Sequence, residues 1–326
     1  MNKIIYSFLI ILFCFSNILA ISEADPDKYS KLLGKINRGL VNSVLNSLPK
    51  RTNIQFTHFI DTIKNTKKTY TLNVQDSAYL AYKWIAENIN VQYSLGVGNI
   101  PQEVFRLGRG SPFGISQLFG AISNSLGVQT IHITGYVKVL SKFNYNQMIS
   151  EIFSAWNGIR IGQKIYLVDV SFAAGNYNEK TFERGYTDVY FATKPAYFIY
   201  RHYPDNQIYQ YITIPINYQT FCSYPFVDST FFLYGFYKFE PTEKEVQIVN
   251  NLEFEINYDP NASDEDILPM LREQNRFFQA EDVNIINSNG EAEIIFEKLD
   301  VKVVYLEISI KNNLKTVPIL VYKLIP

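Results

Sequence analysis

Arg109-Gly110-Ser111-Pro112-Phe113-Gly114-Ile115-Ser116-Gln117-Leu118-Phe119 is the stretch on which the reading of this chain turns. Ser111 offers a side-chain oxygen that can accept a backbone N–H at a helix entrance, and Pro112 suits the first helical position, where its missing N–H costs nothing. Ile115, Leu118, Phe119 and Ile122 then recur at three and four residues, the spacing of one buried helix stripe. Gly127 in Leu126-Gly127-Val128 supplies a stop.

Upstream, Ala78, Ala81, Trp84, Ile85 and Ile89 predict an amphipathic helix over Asp76 to Ile89. A helical lead-in is expected before it from Asp27 to Lys68, with Leu33, Ile36, Leu40, Val44 and Leu48 at helical spacing. Downstream, Thr130 to Val139, Ala155 to Ile161 and Lys164 to Val170 read as strands, the last two joined by a Gly162-Gln163 hairpin turn. Helices packed on an antiparallel sheet are implied. The Tyr- and Pro-rich stretch from Pro195 to Pro225 contains the turn signal Tyr203-Pro204-Asp205-Asn206. Near Thr230 the style changes. Leu252, Phe254, Ile256 and Tyr258 alternate with Glu253, Glu255 and Asn257, and Val301/Val303 and Ile308/Ile310 alternate likewise, so the last hundred residues are expected to form a small β-sandwich.

Lys3, the apolar run from Ile4 to Ala20 and the polar turn at Ser22, Glu23, Asp25 and Asp27 predict a secretory signal peptide over 1–20; the small Ala20 before the polar segment favours cleavage over anchoring. The expected divisions are then a lead-in over 21–70, a first domain over 71–228 and a sandwich over 229–326. Cys14 would leave with the signal peptide, so Cys222 stands alone and no intrachain disulfide can form. Stability must come from the core, which 47% hydrophobic and 15% aromatic content can supply. Asn261-Ala262-Ser263 is a glycosylation sequon at Asn261, consistent with secretion. A net charge of -1 with no basic run excludes an electrostatic nucleic-acid partner. The 24 Tyr and 24 Phe residues point to an aromatic binding face for a protein or peptide.

Three blocks together resemble the transglutaminase-like superfamily, particularly the kyphoscoliosis-peptidase type. They are Ala81 to Ile89; Arg109 to Phe119 with Leu126-Gly127 and Ile133-Thr134-Gly135-Tyr136-Val137-Lys138; and Ser154-Ala155-Trp156-Asn157 with Tyr166-Leu167-Val168-Asp169-Val170-Ser171-Phe172. Tyr190-Phe191, Pro195, Phe198-Ile199 and His202-Tyr203-Pro204-Asp205 extend the likeness toward Pro225. The resemblance implies an α+β fold with a transglutaminase/papain-like core, followed by an Ig-like sandwich. It also implies a thiolate at a helix N-terminus, a histidine base and a carboxylate that orients it. Those three positions map to Pro112, Ser154 and Asp169. Proline has no nucleophile, and a serine hydroxyl cannot take up a proton near neutral pH.

Displaced catalytic residues are the alternative. Ser111 is explained as a helix cap, Ser116 lies a turn into the helix, and neither has an obvious base in the sequence. Cys222 with His202 and Asp205 is a conceivable set for a cysteine peptidase or protein-glutamine transferase. Trp156 and Asn157 are expected to fill a strand–helix interface and satisfy a turn, and are the tentative cleft residues. Asp169 is expected to bond Ser154 or a backbone N–H. His132 sits in an apolar strand where a hydrogen-bonded structural role is expected, and with His58 and His202 it makes no zinc-like spacing. Asp264-Glu265-Asp266 lacks the alternating ligands and glycine of a calcium loop and reads as an acidic helix start. No cofactor or metal is expected. The resulting expectation is a secreted, catalytically inactive transglutaminase-like protein that binds a partner in an extracellular or cell-surface assembly.

Overall fold

The computed structural model describes residues 34–326 except 94–97, 141–147, 178–181, 260–265, 274–275, 281–282, 300–301 and 313–314. The segment 1–20, Asn261, Asp264 and Glu265 lie outside the described residues. Helix α1 (Arg38–Ser47) starts where the Asn37 side chain accepts the Leu40 N–H, and α2 (Phe56–Tyr70) ends where Thr71 turns left-handed at φ 52°. Helix α3 (Val74–Asn88) begins two residues before the expected Asp76, because Asn73 takes the cap and accepts the Asp76 N–H at 2.8 Å. It buries Tyr79 and Tyr82 as well as the expected stripe. Their hydroxyls make this tolerable, since Tyr79 donates to Asp188 at 2.8 Å and Tyr82 to the Thr187 carbonyl at 2.7 Å.

The lead-in helices belong to this core. The Asn37 N–H donates to Asp76 at 2.8 Å, Arg38 pairs with Asp188 at 2.5 Å, and the Phe59 ring meets Trp84 and Phe105 at 4.4 and 5.0 Å. Strands β1 (Asn90–Val91) and β2 (Arg109–Gly110) pair in parallel around α4 (Pro101–Leu107). Helix α5 (Pro112–Ser125) opens as its sequence requires, with Ser111 accepting the Gly114 N–H at 3.2 Å and Ile115, Leu118, Phe119 and Ile122 buried. Gly127 follows at φ 75°.

Strands β3 (Thr130–Leu140) and β4 (Ile149–Ile161) run antiparallel from Thr130↔Ile159 to Leu140↔Ile149. β4 therefore begins before the expected Ala155; Glu151, opposite Lys138, interrupts the apolar alternation without interrupting the ladder. β5 (Lys164–Val168) stops short of Val170 because Asp169 caps α6 (Val170–Ala174). After the β6 (Gly175–Tyr177) and β7 (Phe182–Arg184) hairpin come α7 (Pro195–Phe198) and β8 (His202–Pro204), completing a sheet of order β5-β4-β3-β8.

Helix α8 (Tyr218–Ser223), β9 (Phe226–Val227) and α9 (Ser229–Leu233) lead into strands β10 (Phe236–Glu240), β11 (Glu245–Gln247), β12 (Leu252–Tyr258), β13 (Asp266–Arg272), β14 (Phe277–Gln279), β15 (Asn284–Ser288), β16 (Glu291–Phe296), β17 (Tyr305–Asn312) and β18 (Lys315–Ile325). One sheet has the order β10-β12-β16-β15 and the other β11-β18-β17-β13-β14, with β9 also paired to β18. Inward Phe254 and Ile256 on one sheet share an apolar cluster with Leu306, Ile308 and Tyr322 on the other, and the Phe254 and Tyr322 rings lie 4.8 Å apart. Two readings change here. Asp266 opens a strand opposite Lys311 rather than an acidic helix, and Phe226-Val227, assigned to the first domain, pairs with the second sheet. No helix among the described residues is long and apolar enough to cross a membrane.

Candidate functional site

The mouth of α5 is tightly built. Ser111 donates to Asn99 at 2.7 Å while capping Gly114, and Pro112 is buried at the first helical position. A Cβ on Gly114 would lie 2.2 Å from the Gly98 carbonyl oxygen, so the chain approaches the helix as closely as only glycine allows.

Strand alternation separates the residues of the Ser154–Asn157 block. Asn157 faces α5, where its side chain lies 2.9 Å from Ser116 Oγ. Trp156 projects to the other face, over Gly135, and clusters with Ile133, Val137, Leu167 and Phe198. The expected joint role in one strand–helix cleft is thus corrected: a period of two places neighbours on opposite sides. Asn157 satisfies no turn; it meets a helix side chain. Ser154 shares the Trp156 face by alternation and is 3% exposed, and its hydroxyl has no hydrogen-bond partner.

Asp169 does not bond Ser154. One of its carboxylate oxygens accepts the Ser171 and Phe172 N–H groups at 2.8 and 3.1 Å, as the cap of α6. The other lies 3.1 Å from Nε2 of His202. The imidazole is closed in by rings: Phe198 stacked at 3.6 Å, Trp156 edge-on at 5.0 Å and Phe172 at 5.6 Å. Burial lowers the His202 pKa against the opposing pull of Asp169, so the ring is neutral and donates through Nε2–H. Asp169, read from sequence as a carboxylate with nothing to orient, holds a histidine that the linear motifs did not assign to it. The available signal was that a buried carboxylate needs donors in a chain with only three histidines.

Next to this pair, Arg201 donates to the Lys138 carbonyl at 3.2 Å and to Tyr190 and Asp228. Its guanidinium lies over the rings of Phe172 and Phe226 at 4.5 and 4.7 Å. Burial opposes its charge, but Tyr190, Asp228 and Asp169 outweigh it and the pKa is raised. Asp228 in turn accepts the Thr230 N–H at 2.9 Å, and its own N–H donates to Ile319 of β18 at 2.9 Å. The polar node therefore ties the core sheet to the second sheet.

Ser116 has the company that its sequence did not disclose. Its Oγ lies 2.7 Å from His132 Nδ1 and 2.9 Å from both the Trp156 carbonyl and the Asn157 side chain. One hydroxyl hydrogen cannot serve three acceptors. The set closes when Ser116 donates to Trp156 and accepts from His132 Nδ1–H and from the Asn157 amide turned over, which also employs the otherwise unpartnered Asn157 nitrogen. Burial lowers the His132 pKa, keeping the ring neutral. In that arrangement His132 carries its proton on Nδ1 and donates to Ser116 rather than acting as its base, and Ser116 is only 3% exposed.

Cys222, His202 and Asp205 are not joined into a relay. His202 is committed to Asp169, Asp205 accepts from the Thr134 hydroxyl at 2.8 Å, and Cys222 is a half-buried free thiol on α8. His58 is exposed on α2. No group of His, Cys, Asp and Glu side chains suited to a metal occurs among the described residues.

No family model matches the chain. Kyphoscoliosis peptidase from Mus musculus is 28% identical over 152 residues, covering 46% of this chain and 23% of that protein. Cytokinesis protein 3 from Schizosaccharomyces pombe is 28% identical over 152 residues, covering 46% and 17%, and hillarin from Drosophila melanogaster is 25% identical over 199 residues, covering 54% and 24%. The chain thus spans about a quarter of the length of the curated relatives it matches, or less. Among solved structures, a TGase is matched with a TM-score of 0.28 and 13% identity over 43% of this chain and 39% of that one. Over about half its length, this chain is similar to kyphoscoliosis peptidase.

Proposed function

We propose that this protein is a secreted, catalytically silent relative of the transglutaminase-like enzymes, which acts by binding a protein or peptide within an extracellular or cell-surface assembly. The observation that carries the reading is the state of Asp169: both its oxygens are occupied, by the α6 amides and by His202, in a ring-lined pocket. The same engagement would orient a catalytic base, but the second ring nitrogen of His202 meets no nucleophile among the described residues and the ring is enclosed by Phe198, Trp156 and Phe172, so the pair serves as an anchor. Pro112 at the α5 mouth and the alcohol of Ser154 support it, since neither supplies acyl-transfer chemistry. In this reading the two facing sheets form an Ig-like sandwich that extends the binding surface, and Asn261 carries a glycan.

The test uses the protein purified from the medium of expressing cells. The expected results are an N-terminus following Ala20, no covalent capture by a thiol-directed acylating probe under native conditions, and no turnover of amine and glutamine donor peptides. Turnover abolished by Cys222→Ser would establish the displaced-residue enzyme instead.

A further inference from the structure

Among the described residues, strand β15, Asn284-Ile285-Ile286-Asn287-Ser288, ends its sheet, and all five of its residues are exposed, Ile285 by 36% and Ile286 by 50%. An open strand edge presents unpaired N–H and C=O groups, and proteins usually blunt such edges with charge, proline or brevity. The other described edges carry such devices or are covered: β5 opens with Lys164 and bonds Thr193 through Leu167. β10 bears Lys238 and Glu240, β11 is three residues with Glu245, β14 is three residues with Arg272 and Arg276 over its phenyl rings, and β8 ends in Pro204. β15 has none: no charge, no proline, and an isoleucine on each face. Pairing with β16 sets Ile285 opposite Ile294 on the inner face and Ile286 opposite Glu293 on the outer one.

We propose that β15 is a homodimer edge, pairing antiparallel with β15 of a second copy to join two four-stranded sheets into one continuous sheet. Symmetry and hydrogen-bond parity limit the register. Residues facing each other across an antiparallel ladder are both bonded or both unbonded, so a two-fold axis must pass between two copies of one residue. Centring on Ile286 alone pairs all five residues: Ile286 with the partner's Ile286, Ile285 with the partner's Asn287, and Asn284 with the partner's Ser288. No strand charge opposes its copy, and a net charge of -1 adds little repulsion. Centred so, the strand faces Ile286 with its own copy as an apolar pair on the outer face and sets the uncharged Asn287 beside Ile285 on the inner one, a self-complementary ladder with no like charges opposed. A contact of this length places the dimer in the weak, reversible class.

Sedimentation velocity of the full chain at rising concentration is expected to show reversible dimerisation, abolished by Ile286→Lys, which sets two ammonium groups face to face across the axis. Because Ile286 is half-exposed, the variant keeps its fold, checked by an unchanged thermal transition. Register is read in a Cys14→Ser, Cys222→Ser background by single cysteines at 284 to 288 and a short bismaleimide. Cross-linking should peak at 286 and fall on both sides. A monomer at the highest concentration, a dimer that survives Ile286→Lys, or a maximum away from 286 overturns the proposal. These readouts involve neither enzymatic turnover nor secretion, so they fail or succeed independently of the function proposed above.

Discussion

Asp169 and His202 meet at 3.1 Å with the imidazole 1% exposed, a carboxylate–histidine pair built across the core sheet by residues 33 apart. Asp169 at the same time caps α6, so one side chain fixes the end of β5, the start of a helix and the seat of β8.

Asp169→Ala should therefore be among the most costly single changes. It removes a helix cap and leaves the buried His202 N–H without an acceptor, for a combined loss of about 2–4 kcal/mol. Urea unfolding checks this, and Asp169→Asn, which keeps one oxygen, should lose less.

Stability should rise with pH from two sources. Burial lowers the Lys138 pKa from 10.5 to about 7; its ammonium nitrogen donates to the Tyr224 carbonyl at 2.6 Å and sits 4.6 Å from the Phe221 ring centre. Between pH 7 and 10.5 the unfolded lysine holds a proton that the folded one lacks, so stability increases across that window. The gain is on the order of 3–5 kcal/mol at 1.36 kcal/mol per unit. Lys138→Met should flatten that slope in denaturation midpoints. His202, also lowered, acts below its ordinary value of 6.5: stability falls as acid begins to protonate the unfolded ring but not the buried one.

Ser116→Ala should destabilise the fold by about 1–3 kcal/mol, because His132 and the Trp156 carbonyl each lose a buried partner. A fluorophosphonate probe should leave wild-type Ser116 unlabelled, as expected of a hydroxyl that is 3% exposed and donates to a backbone carbonyl.

Gly135→Ala should be poorly tolerated. The added methyl would sit 2.1 Å from the Tyr203 carbonyl oxygen and 2.9 Å from the Trp156 ring, forcing β8 and the indole apart. Overpacking of this kind costs about 1–3 kcal/mol, and here it should also raise the accessibility of His202, read as its NMR titration moving toward 6.5.

Transplanting the missing groups should not create an enzyme. Pro112→Cys with Ser154→His places an imidazole on the Trp156 face of β4, but Asp169 already serves His202 and α6. The expected outcome in a donor-peptide assay is no acyl transfer, and appreciable turnover would show that the Asp169 pair yields easily.

What the sequence determined by itself was local. Ser111, Pro112 and the Ile115–Ile122 stripe specify α5, Gly162 specifies a hairpin, and Leu252, Phe254 and Ile256 specify a half-buried strand, because capping, backbone freedom and side-chain period act within a few residues. Even there, boundaries moved where a side chain not read as a cap took one, as Asn73 and Asp169 did. Only the tertiary structure decided the partners. It brought His202 to Asp169 and His132 to Ser116, set Trp156 and Asn157 on opposite faces, and left β15 at an edge. Buried polar groups are satisfied by whatever donor the chain's folding delivers, and that delivery depends on sheet order and register, which no short stretch of sequence encodes.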